Sequence, residues 1–213
     1  MKQLLTSAIC LAAVTFMSAC GNSSSKTPAS VPQYKSELTF SQDSAYQYVR
    51  DQVKFGPRVP GTKAHTDCAN YILDKFRQFG ADTIITQNAL VAAHTGDELP
   101  ITNIMAQYRP ELNDRVLIVA HYDTRPWADQ DQDEANTGKP IDGANDGASG
   151  VAVMLEMARN LAIKNPHIGV DFLAVDAEDY GKSDGWGNSD ETWCLGTPVS
   201  YTHLRAHETE LHL

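Results

Sequence analysis

Two apolar runs constrain this chain more than any other feature. One is Val116-Leu-Ile-Val-Ala120, preceded by Arg115. The other spans Val170 to Val175. Such runs suit strands buried on both faces. Between them, Val151, Met154, Leu155, Ala158, Leu161 and Ala162 recur every three or four positions, which predicts a helix from Gly147 to Ala162 ended by Asn165-Pro166. Strand, helix and strand of these lengths form a βαβ unit. The expected fold is therefore α/β with an at least partly parallel sheet and a right-handed crossover. In such sheets ligands bind beyond the carboxyl ends of the strands.

The chemistry gathers where that rule places it. His121-Tyr-Asp123 follows the first run and Asp176-Ala-Glu178-Asp179 follows the second. Asp142-Gly-Ala-Asn-Asp146-Gly-Ala-Ser-Gly150 opens the helix between them. Each segment has a bland reading. Asp146 suits a helix cap, Glu178-Asp179 suits a pair of exposed loop acids, and a single His at a strand end is commonly just satisfied. Their convergence at one sheet edge, with few basic partners, instead calls for a divalent cation. Gly143, Gly147 and Gly150 indicate close backbone packing around Asp146. In an extended segment Glu178 and Asp179 would point to opposite sides and divide their roles, one toward metal and one toward protons. His121 and Asp123, two apart on a strand, face the same side, so Asp123 can orient the imidazole.

Upstream elements have clear limits. Ser41 caps a helix whose stripe is Ala45, Tyr48, Val49, Gln52 and Val53, stopped by Gly56-Pro57. Thr62 caps a second helix with the stripe Cys68, Tyr71, Ile72, Lys75, Phe76 and Phe79, ended by Gly80. Extended runs follow over Asp82–Val91 and Ile101–Tyr108. The polar stretch Arg125–Asp142 reads as a long loop, and long loops are often functional.

The 213 residues suffice for one sizeable domain. A net charge of -10 argues against nucleic acid as a partner, because phosphate binding needs clustered cations. Residues 1–19 read as a lipoprotein signal peptide: Lys2, an apolar run from Leu4 to Met17, then Met17-Ser18-Ala19 before Cys20. Cys20 is the expected lipid attachment site. Residues 20–40, rich in Ser, Lys, Thr and Pro, read as a flexible tether. The catalytic region is expected over 41–197. Export to a periplasm or outer membrane, with a lipid anchor as the membrane contact, follows from this reading. Of the remaining cysteines, Cys68 and Cys194 are expected to be two buried thiols.

The pattern His121-Tyr-Asp123, Gly143-Ala-Asn-Asp146-Gly-Ala-Ser-Gly-Val151 and Ala177-Glu178-Asp179 resembles the zinc aminopeptidase and glutaminyl cyclase family. Phe55-Gly-Pro-Arg58-Val-Pro-Gly61-Thr62 with His65 is similar too. Arg125-Pro126-Trp127, Phe172–Gly181 and Trp193-Cys194-Leu195-Gly196 look most like the bacterial glutaminyl cyclases. The resemblance implies a mixed, mostly parallel sheet sandwiched by helices, truncated here at the carboxyl terminus. It implies one zinc held by Asp146, Asp179 and a downstream His, with Glu178 as catalytic acid/base. The substrate would be a peptide or protein N-terminus, its Gln converted to pyroglutamate with loss of ammonia. An aminopeptidase is the alternative, in which two zincs share Asp146 and His121 becomes a ligand. A non-catalytic surface lipoprotein is a third reading. The downstream ligand lies beyond this chain, so the chain itself is expected to be inactive and to bind zinc weakly. Residues 198–213 are expected to be a non-native tail, because Ser200-Tyr-Thr-His203-Leu-Arg-Ala-His207-Glu-Thr209 resembles a translated sequencing adapter. The spacing of His203 and His207 is therefore not taken as a metal motif.

Overall fold

The computed structural model describes residues 38–183 and 192–202. The signal and tether segments, Cys20, His203, His207 and His212 lie outside the described residues.

Helix α1 spans Gln42–Val53, and its N-cap Ser41 accepts a hydrogen bond from the Ser44 amide at 3.2 Å. Helix α2 spans Lys63–Gln78, with Thr62 accepting from the His65 amide at 3.2 Å. Both caps satisfy amides that have no partner within the helix. Gly80 takes a φ of +70° just past α2, which ends the helix as the sequence predicts.

Strands β1 (Thr83–Ala92) and β2 (Glu98–Tyr108) form a hairpin, followed by β3 (Arg115–His121), α3 (Ala148–Ile163) and β4 (Gly169–Val175). The strand order is β1-β2-β4-β3. The sheet is mixed, as expected, but its parallel share is smaller than the resemblance implies. Among the described residues only β3 and β4 pair in parallel, whereas β1–β2 and β2–β4 are antiparallel. The physical reason is connection length. A short turn can join only antiparallel neighbours, whereas the parallel β3–β4 pair needs the α3 crossover.

The pleat sends alternate residues to opposite faces. Ile104, Ala106, Tyr108, Val170, Phe172 and Ala174 meet the apolar sides of the helices, joined by Ile72, Phe76, Val151 and Leu155. On the other face Met105, Leu173 and Val175 cluster together. The helical turn at residues 197–202 lies at one end of that face, where Ser200 is buried and bonded to Gln87 and Asn103.

One expectation needs correction. Strand β3 is not buried on both faces: Val116, Leu117 and Val119 are exposed, at 39%, 46% and 49%. In the described sheet β3 is the edge strand, and only Ile118 and Ala120 pack inward under α3. Gly150 allows that approach, since a Cβ there would lie 3.0 Å from the Ala120 Cβ.

Candidate functional site

The parallel pair brings His121 and Val175 into register at the carboxyl ends of β3 and β4. The loop before α3 arrives from the side, and a single cation fixes it. Arg58 is fully buried and donates from Nε to the Tyr122 carbonyl at 3.0 Å. Its two terminal nitrogens each donate at 2.7 Å, to the carbonyls of Asp142 and Gly143. Gly143 and Gly147 both have positive φ, at 56° and 90°. A Cβ on Gly147 would meet the Asp123 carbonyl at 2.7 Å and the His121 ring at 3.4 Å. The glycines thus let the loop press Asp146 against β3.

Asp146 does not cap α3. The N-cap is Gly147, with no side-chain cap bond. The Asp146 carboxylate instead stands 2.9 Å from His121 Nε2 and accepts from it. His121 Nδ1 is 3.4 Å from Asp123 Oδ1 and 3.9 Å from Glu178 Oε2. Neither contact is a well-formed hydrogen bond, and Nδ1 is buried without a partner. Burial opposes a charge on the ring, but the carboxylates of Asp123, Glu178 and Asp146 outweigh it and push the imidazole up to about 9.

Glu178 and Asp179 are not extended, contrary to the sequence expectation. Ala177 before them has a φ of +48°, and the segment bends. The amides of both residues donate to one carboxylate, that of Asp123, each at 3.1 Å. The Glu178 side chain stays one-third exposed at the mouth. Asp179 turns inward and is 6% exposed. Its Oδ2 is buried and has no partner. Burial first, then the charges of Asp146, Asp123 and Glu178, push its carboxyl up to about 7, against the opposing pull of Arg125.

Histidine and carboxylate thus meet at one sheet edge with too little positive charge among them. Among the described residues no three His, Cys, Asp or Glu side chains form a ready-made metal cage. The donor set nevertheless fits zinc. An orphaned buried carboxylate oxygen and an orphaned imidazole nitrogen are the atom types zinc takes, and crowded acids gain most from a cation. Asp146 and Asp179, with His121 beside them, could hold it.

Sequence reasoning missed several participants. Arg58 was read only as part of a similar leader, and its loop-holding role left no periodic trace. Arg125 is buried and bidentate to Asp129 at 2.7 and 2.6 Å. It also donates to the Asp179 and Gly181 carbonyls, with its guanidinium over the rings of Trp127 and Trp193. Cys194 is not buried as expected. It is exposed, and its thiol lies 3.5 Å from Glu178 Oε1. Cys68 is buried, and both thiols are free.

A mixed sheet flanked by helices, with acids and one histidine at the carboxyl ends of its parallel pair, defines the architecture of the zinc-dependent exopeptidases. Residues 103–197 match the model of Peptidase family M28. Among solved structures, the chain resembles Tannerella forsythia glutaminyl cyclase at 49% identity and a TM-score of 0.71, over 75% of this chain and 55% of that one. It resembles a Zn-dependent exopeptidase from Parabacteroides distasonis at 44% identity and a TM-score of 0.72, over 76% and 56%. Among curated proteins, the alkaline phosphatase isozyme conversion protein of Escherichia coli is 31% identical over 149 residues, 66% of this chain and 43% of that protein. The chain therefore spans about half the length of the relatives it matches.

Proposed function

We propose that the protein is a zinc-dependent glutaminyl-peptide cyclotransferase, converting an N-terminal glutamine to pyroglutamate with release of ammonia. The observation that carries this reading is the division of labour at the end of β4. Asp179 is buried with an orphaned oxygen, whereas Glu178 beside it reaches the mouth. One acid is set to hold a cation and the other to move protons. Zinc, held by Asp146 and Asp179, would supply a Lewis acid for the γ-carbonyl of the glutamine. Glu178 accepts a proton as the α-amino nitrogen bonds to the carbon of the side-chain carboxamide. It returns that proton to the departing amide nitrogen as the C–N bond breaks, so ammonia leaves neutral. Asp123 holds the Glu178 and Asp179 amides and thereby fixes where both side chains start.

An aminopeptidase is the second reading, supported by the exopeptidase neighbours and by the position of His121. Two zincs would then share Asp146, with His121 as a ligand and Glu178 activating water. A surface lipoprotein without catalysis is the third. Attachment at Cys20, export to the periplasm or outer membrane, and peptide N-termini as substrates belong to the same proposal.

One assay separates the readings. The complete protein is loaded with zinc and offered a Gln-peptide and leucine amide. Ammonia from the peptide supports the cyclase, leucine release supports the peptidase, and neither supports the lipoprotein.

A further inference from the structure

A second acid–histidine pair lies beneath the site, and the chemistry proposed above makes no use of it. Asp176 is fully buried at the end of β4. His65 Nε2 stands 2.8 Å from both of its oxygens, and His65 is itself 4% exposed. Oδ2 also accepts from the Thr102 amide at 2.7 Å and the Tyr122 hydroxyl at 2.9 Å. Oδ1 accepts from the Ala177 amide at 2.7 Å. The His65 ring stacks on Tyr122 at 5.1 Å, which ties α2, β2 and the end of β3 to this one carboxylate.

The next residue carries the outlier. Ala177 is fully buried and takes a φ of +48°, a conformation that a residue with a Cβ adopts at a cost. Opposite it, Cys194 has a φ of +55°. The two segments are laced together: the amides of Cys194, Leu195 and Gly196 donate to the carbonyls of Glu178, Ala177 and Asp176, at 3.0, 2.9 and 3.2 Å. The left-handed residue turns the chain so that the next two amides meet Asp123 and the Glu178 side chain faces the mouth. Such a bend persists only where its surroundings over-determine it. The Asp176 carboxylate is among the groups that do so, and it bonds the amide of the strained residue itself.

We infer that Asp176, held by His65 and Tyr122, is a positioning residue that keeps Ala177 left-handed and so aims Glu178 at the substrate. It touches no reacting atom. In Asp176→Asn the amide NH2 must face either the Ala177 amide or the Thr102 amide and Tyr122 hydroxyl, so one of these donor sets loses its acceptor without a change in size. A Gly at position 177 adopts positive φ freely and needs that anchor less.

The inference rests on Glu178 as the proton-moving group, so its test has one arm that does not need activity. Hydrogen exchange of the Glu178 and Asp179 amides is followed by NMR in this chain and in Asp176→Asn. Exchange at those two amides is expected to rise at least tenfold, with the β4 amides of Val170–Ala174 unchanged. In the zinc-loaded complete protein, kcat for Gln-peptide cyclisation is expected to fall at least tenfold in Asp176→Asn, with KM within about twofold and zinc content retained. Asp176→Asn/Ala177→Gly should regain at least a third of the kcat that Ala177→Gly alone shows. Wild-type exchange at both amides in a folded Asp176→Asn overturns the inference whatever the activity. So does a kcat loss that the glycine fails to relieve. Should the protein cyclise nothing, the exchange arm alone decides, and only the reading of Glu178 falls.

Discussion

Two acid–histidine pairs lie within a few residues of each other, and they differ in completeness. His65 and Asp176 are both buried, and each Asp176 oxygen has protein donors. His121 and Asp146 are the open pair: the Asp146 side chain is 59% exposed, and Nδ1 of His121 is an orphan. Asp179, next to the open pair, leaves Oδ2 orphaned too. Unpaired buried polar atoms are rare because each costs about 1–3 kcal/mol. The same residue types therefore build an anchor in one place and a set of unpaired donors in the other.

The comparison breaks most visibly at Glu178. Glu178→Gln should lower cyclase turnover about a hundred- to ten-thousand-fold, with zinc still bound by metal analysis. Zinc loss in that variant would exchange the roles assigned to Glu178 and Asp179.

Arg58 tests whether the open pair depends on a rigid frame. Arg58→Met strands the carbonyls of Tyr122, Asp142 and Gly143 and should cost about 3 kcal/mol or more in urea unfolding. A variant of unchanged stability would mean that the Asp142–Asp146 loop holds itself.

Titration sharpens the contrast further. In the metal-free protein Asp179 has a folded value of about 7, above the ordinary 3.8. The neutral form is favoured, so its contribution to stability is present below about 3.8 and lost as pH rises through 7. His121 is raised from 6.5 to about 9, so its contribution is present below 6.5 and lost as pH rises through 9. The metal-free melting temperature should therefore fall by a few degrees between pH 4 and 9. Asp179→Asn should flatten the lower part of that fall. Zinc should bind more tightly at higher pH and release protons, read by calorimetry in two buffers.

The smallest effect lies at the start of α2, where Thr62 accepts from the His65 amide. Thr62→Ala removes the α2 cap and should cost about 1 kcal/mol in urea unfolding, with no change in zinc binding. A shift in zinc affinity would show that α2, through His65, reaches the open site as well as the anchor.

Legibility from sequence followed the range of each interaction. Ser41, Thr62 and Gly80 were readable because caps act within a turn. Strands β3 and β4 were readable as apolar runs, and the acids beyond them as a cluster. The exposed side of β3 was not readable, because Val116, Leu117 and Val119 look the same in an edge strand as in a central one. Nor was the His65–Asp176 pair, which joins residues 111 apart, or the contact of Cys194 with Glu178. Such pairs leave no period in the chain. The bend at Ala177 was hidden as well, since alanine gives no hint of a left-handed backbone.

Strand β3 ends in His121 and, among the described residues, has no neighbour on its outer side. A further strand pairing there would take its outward amides and carbonyls and would set its register against His121, with the exposed Leu117 and Val119 at its side.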